Sequence, residues 1–213
     1  MLKQFGLDAP LANRELRNQF SLETNCITSL FMRCFQNTQR IKKFWKVLVE
    51  VVDVIEEAKS RDLLGAATIQ VAGDVHMFSL LPGAEKKKRA LEYLMAGVTA
   101  VAKEKGWEMR DFELAYNCVL ARGFVNEWTW KRPIANKSRT ATAEVHIEHD
   151  ITEAHLLVRF RDRNKTIIKV KPLVSGLPSE FVFYSYLGKL RWLDDMTVEL
   201  ISREGDKRYQ ATL

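Results

Sequence analysis

The chain has 213 residues, with 33 basic against 27 acidic side chains, a formal charge of +6 and a pI near 9.2. Such a length buries a sizeable core without covalent staples, and the sequence holds no run of about 20 apolar residues to cross a bilayer. The basic excess favours anionic partners, yet it is short of the strong bias or basic tail of a dedicated nucleic-acid protein.

The opening MLKQFGLDAP lacks the apolar stretch of a secretory signal, and a cytoplasmic location is expected. Ile27, Leu30, Phe31, Cys34 and Phe35 recur at helical spacing and predict a first helix. Cys26 and Cys34 lie too far apart along it, roughly 12 Å of rise, to bridge within one helix. With Cys118 they make an odd set, and all three are expected as reduced thiols packed like small hydrophobes. Ile41, Phe44, Trp45, Leu48, Val52 and Ile55 continue the helical period, with Val47, Val51 and Val54 as a second stripe. A central helix is therefore predicted over about 41–59, capped by Asn37 or Thr38 and stopped by Gly65.

The stretch AATIQVAGDVHMFSLLP reads as a hairpin turned at Gly73 and Asp74, with Ile69 opposite Phe78 and Val71 opposite His76. His76 falls at the edge of its apolar face with no second ligand type at a matching spacing, as a packing histidine would. A strong helix follows over 84–105, on Leu91, Leu94, Met95, Val98, Val101 and Ala102. Its first turns hold Lys86, Lys87, Lys88 and Arg89, where the helix macrodipole disfavours cations. They are either a solvated basic face or an anion-binding site built with the free backbone N–H groups.

From about 112 onward the period is mostly that of strands. AEVHIEHDITEAH, at 143–155, carries three of the four histidines, and taking DITE as a loop sets Glu144 opposite Arg159 and Glu148 opposite His155. Ala143, Val145 and Ile147 then meet Phe160, Val158 and Leu156, so opposite charges pair on one face and hydrophobes on the other. Turning next at RNK, 163–165, pairs Phe160 with Ile168 and Val158 with Val170, giving a three-stranded meander with one continuous apolar face. Its polar face is expected to be solvated. A metal site of His146, His155 and Glu148 is the weaker alternative, since no metal-ligand motif accompanies it.

On that meander Arg159, Arg161, Arg163, Lys165, Lys169 and Lys171 should gather into a basic two-stranded ribbon able to track a phosphate backbone. Clustered cations on an exposed sheet also simply blunt its edges. Trp128 and Trp130 beside Lys131 and Arg132, and Tyr184, Tyr186 and Trp192 near Lys189 and Arg191, combine aromatic and cationic groups as single-strand binders do. Alternating aromatics build cores as well. A last hairpin, turned at Glu204 and Gly205, pairs Val198 with Ala211 and Leu200 with Tyr209, and ends within the sheet at Leu213.

Nucleophile elbows, Walker loops, dinucleotide fingerprints and zinc-protease motifs are missing from the sequence. Glu144, Glu148 and Lys169 could lie on adjacent strands as a metal-dependent nuclease would need, but scattered carboxylates, as in LDD at 193–195 and VIEE at 54–57, are common. The expectation is one α+β domain over 1–213: a helical part at about 11–62, a mixed part at about 66–110 and a β-rich part at about 112–213. Hairpins and the meander form an antiparallel sheet packed against the N-terminal helices and the helix at about 84–105. The expected function is non-enzymatic binding of an anionic partner, RNA or single-stranded DNA first, through the 159–171 ribbon helped by Lys131 and Arg132, with no cofactor. Docking of an acidic protein or a membrane surface is the alternative, and a metal-dependent hydrolase or nuclease the third.

Overall fold

The computed structural model describes Met1–Leu213 and divides into two units, Met1–Asn126 and Glu127–Leu213. The first is built from β1 (Gln4–Asp8), α1 (Arg14–Cys34), β2 (Lys46–Val52), β3 (Arg61–Leu63), β4 (Ala66–Ala72), α2 (Val75–Leu80), α3 (Gly83–Lys105) and α4 (Arg110–Ala121). Its sheet runs in the order β1-β2-β4-β3, parallel except for β3. Phe5, Leu7, Val47, Val49, Ala67 and Ile69 are buried against α1 and α3. Gly97 of α3 carries no side chain because the Val49 methyls lie where a Cβ would stand.

Several expectations fail in this unit. No helix spans 41–59: KVLVEVV is the central strand β2, whose valines pack on parallel neighbours to either side. A short buried apolar run has no period that separates helix from strand, and β-branched residues favour the strand. Gly65 is not a helix stop; with Leu64 it sits at positive φ, 79° and 47°, in the two-residue turn between β3 and β4. The hairpin at Gly73 and Asp74 is replaced by β4 and then α2, with the Asp74 carboxylate accepting from the Met77 N–H at 2.8 Å as an N-cap. His76 is therefore exposed on α2 instead of packed in a sheet. Residues from about 112, expected as the start of the strands, continue α4 to Ala121, and its buried Asp111 accepts from the Thr38 N–H and hydroxyl, both at 2.6 Å.

The thiols also differ from expectation. Cys34 at the end of α1 and Cys118 on α4 form a disulfide, Cα–Cα 5.9 Å, and Cys26 is the buried cysteine left outside it. Period could not show this, because the two helices meet only after folding.

The second unit comprises β5 (Glu127–Thr129), β6 (Ile134–Ala135), β7 (Thr142–His149), β8 (Ala154–Arg161), β9 (Ile167–Gly176), α5 (Glu180–Phe183) running into a 3-10 turn, β10 (Lys189–Trp192), β11 (Thr197–Ile201) and β12 (Arg208–Thr212). One antiparallel sheet has the order β5-β7-β8-β9 with β6 also on β7, and the other has β10-β11-β12. Val145, Ile147 and Leu156 of the first sheet share a core with Leu200 of the second and with Phe183 and Leu187 between them. The fold is thus α+β, with antiparallel sheets in the C-terminal half and helices in the N-terminal part.

The β7–β8 register is the expected one, residue for residue, and so is the β11–β12 hairpin. The third strand of the meander departs from it. Register shifts on β9 beside Leu156/Leu157 and Phe160/Arg161 pair Val158 with Lys171, Arg159 with Val170 and Phe160 with Lys169. A one-residue slip reverses a strand's faces, so Ile168 and Val170 are exposed and the apolar face does not continue across three strands.

Candidate functional site

Cations and aromatic rings converge in the second unit on a cleft of about 580 Å³, lined by Trp130, Lys131, Leu187, Gly188, Lys189 and the turn from Ile201 to Gly205. The backbone builds it. Gly188 donates its N–H to the Ile201 carbonyl at 3.0 Å, and a Cβ there would meet that carbonyl at 2.6 Å, so only glycine lets β10 start this close to the end of β11. Lys131, at φ 68°, turns back after β5 so that its ammonium lies 4.0 Å from the centre of the Trp130 ring and donates to the Gly188 carbonyl at 3.4 Å. Arg203 donates its N–H to the Ser185 carbonyl at 2.9 Å and spreads its guanidinium over Tyr184 at 5.8 Å. Lys207 reaches over Tyr186 at 5.7 Å. Lys131, Lys189 and Arg203 are all solvent-exposed. Two carboxylates offset them: Glu204 on the rim, and Asp206, whose bond from the Ser202 hydroxyl at 2.6 Å holds it below its ordinary value.

The expected ribbon does not assemble on one side. Arg159 and Arg161 share the face of Glu144 and His146, whereas Lys169 and Lys171 stand opposite Phe160 and Val158 on the other face. Arg161 is also committed, donating from Nε and Nη2 to one oxygen of the buried Glu144 at 3.0 and 2.8 Å and from Nη1 to the Lys165 carbonyl at 2.9 Å. Arg163 donates to the Arg139 carbonyl at 3.3 Å. Of the two helpers, Lys131 lines the cleft, and Arg132, next in sequence, is exposed.

The basic run at the start of α3 is divided as well. Lys86 is buried, with its ammonium 2.7 Å from Glu23 of α1 and 5.9 Å from the Phe78 ring. Arg89 pairs with Glu92 at 3.2 Å and lies over Tyr93 at 5.9 Å, while Lys88 is exposed. Lys86, Lys87, Lys88 and Arg89 therefore present no common anion-facing surface. A different cationic cleft, of about 640 Å³, lies in this unit between β1, β2 and the start of α1, with Arg14, Arg17 and Lys46 on its walls. It is partly self-neutralised, since Arg17 donates to both Asp8 oxygens at 2.8 and 2.6 Å. Burial lowers the Lys46 ammonium from its ordinary value.

The histidine-rich strand arranges its donors differently from the expected trio. His155 donates to or accepts from the Ser175 hydroxyl at 2.7 Å and lies 3.6 Å from Glu153, while His149 bonds to the Pro178 carbonyl at 3.0 Å. In place of His155, Glu127 of β5 joins His146 and Glu148, with one donor atom from each within 4.8 Å of the others. Burial pushes the His146 imidazole below its ordinary value and the Arg159 charge pushes the same way, against the pull of Glu127 and Glu148. Sequence reasoning missed Glu127, Lys207 and Arg203. Arg203 was legible as a cation beside the Glu204–Gly205 turn, but nothing in the period joins that turn to Trp130. Glu127 reaches the group only through the β5–β7 pairing, which no adjacent turn announces.

No family model matches the chain, and no curated protein or solved structure matches it significantly.

Proposed function

We propose that the protein binds an anionic partner, single-stranded RNA or DNA, through the cleft between Trp130 and the Ser202–Gly205 turn, and not through the 159–171 ribbon. The observation that carries this is a cleft that brings together Lys131, over the Trp130 ring, Lys189 and Arg203, whose guanidinium lies over Tyr184. Cations satisfy phosphates, and half-buried rings offer faces to bases without sequence preference. The reading is one of binding, and it assigns no chemical step to the cleft.

Fluorescence anisotropy with a labelled oligonucleotide tests it. About three phosphate contacts to a single strand predict a slope near −2 for log affinity against log salt. Lys131→Gln, Lys189→Gln and Arg203→Gln combined should weaken binding at least about tenfold and flatten that slope, while Lys169→Gln with Lys171→Gln should change little. Salt-insensitive binding, or loss on the ribbon substitutions alone, overturns the assignment.

A second reading, docking of another protein, is favoured by the exposed apolar edge. Ile167, Ile168 and Val170 stand outward on edge strand β9 between lysines, and Phe181 nearby in sequence is 91% exposed. No helix is long and apolar enough to cross a membrane. A cytoplasmic setting belongs to the first reading, and the Cys34–Cys118 bridge makes it testable. Cytosolic thiol buffers keep such pairs reduced, so a bridge still closed in cells alkylated at lysis argues for an oxidising compartment.

A further inference from the structure

We propose that Glu127, His146 and Glu148 form a binding site for one divalent transition-metal ion of the Zn²⁺ or Mn²⁺ class. The antiparallel register sets Glu127 directly opposite Glu148 and Thr129 opposite His146, so all three donors project from the same face of β5 and β7. One donor atom from each already lies within 4.8 Å of the other two. Ligands bound at about 2.0–2.2 Å to a common ion sit somewhat closer than that, a difference that side-chain rotation covers.

Two features point to a cation there. Carboxylates directly opposite across a strand pair repel, and an ion between Glu127 and Glu148 turns that repulsion into attraction. The His146 ring is only 3% exposed, its Nδ1 has no partner, and its Nε2 has only a 3.4 Å contact to Glu127. Buried imidazoles are normally better satisfied. Of the two arginines on this face, Arg161 is paired with Glu144, and the charge of Arg159, which acts on His146, is outweighed by the two carboxylates. One imidazole with two carboxylates suits the borderline Zn²⁺ and the harder Mn²⁺ better than soft ions. Because Glu127 is exposed, the ion would keep positions open to water or a small anion, as structural four-ligand sites do not. The inference does not rest on the nucleic-acid reading.

The test uses the full chain without a histidine tag, stripped with chelator and titrated calorimetrically with ZnCl₂ and separately with MnCl₂. One equivalent of at least one ion should bind. Glu127→Gln and Glu148→Gln should each weaken that binding about tenfold or more and together abolish it, with unchanged far-UV circular dichroism. His76→Gln and His155→Gln should leave it intact. Because His146→Ala removes a buried ring and risks the fold, its part is read from the imidazole nitrogen resonances: Zn²⁺ should shift those of His146 and not those of His155. Absence of one-equivalent binding, binding that survives the double glutamate variant, or shifts at His155 instead of His146 overturns the site.

Discussion

Opening the Cys34–Cys118 bridge should destabilise the first unit without dissolving its fold. The bridge closes a loop with a sequence separation of 84, and the loss of loop-closure entropy in the unfolded chain is then worth about 4.5 kcal/mol at 25 °C. Measured values for native disulfides centre on about 2–4 kcal/mol, because the unfolded state keeps residual structure, so a loss in that range is expected. The folded state should survive, since the same helices are held by other means. Phe35 stacks on the buried Phe112 with centroids 4.9 Å apart, and Asp111 retains its bonds from Thr38. The assay is urea unfolding followed by circular dichroism, with and without reductant, alongside the double variant Cys34→Ser and Cys118→Ser. Reduction and the double variant should lower the midpoint equally and steepen the urea dependence, because an unbridged unfolded chain exposes more surface. If the two units unfold separately, only the transition of Met1–Asn126 should move. Thiol counting under denaturing conditions should find one reactive cysteine, Cys26, before reduction and three after. Three thiols in unreduced protein, or identical midpoints and slopes with and without reductant, refute the reasoning.

At Gly97 the Val49 methyls occupy the place of a Cβ, so Gly97→Ala should destabilise by about 1–3 kcal/mol through overpacking, although helix propensity alone predicts a gain of up to about 1 kcal/mol; a stabilised variant in the same urea assay would show that α3 does not press on β2 there. Glu199 is held below its ordinary value by hydrogen bonds from Gln210 and Arg191, with Arg208 adding to the field. A carboxylate with a depressed folded-state value stabilises most above its unfolded value, and that contribution is lost as pH falls through the folded one. Glu199→Gln should therefore flatten the acid limb of the stability profile, measured as urea midpoints between about pH 7 and about pH 3; an acid limb as steep as the wild type's would remove Glu199 from its causes.

By itself the sequence determined those elements whose signal is local and periodic. The helical stripe through Ile27 and Phe31 became α1, the one from Leu91 to Ala102 became α3, and the strand alternation around DITE and around Glu204–Gly205 set both hairpin registers. In each case a face of constant polarity and a short turn leave one solution. Only the tertiary structure decided the rest. KVLVEVV is a strand because parallel neighbours bury it on either side, Asp74 caps a helix instead of turning a hairpin, and bulges on β9 reverse the lysines that a regular ladder would have aligned with the arginines. The Cys34–Cys118 bridge, the Trp130 cleft and the approach of Glu127 to His146 join residues far apart in the chain. Local period holds no information on which distant segments meet, because that choice is made by the packing of whole elements against one another.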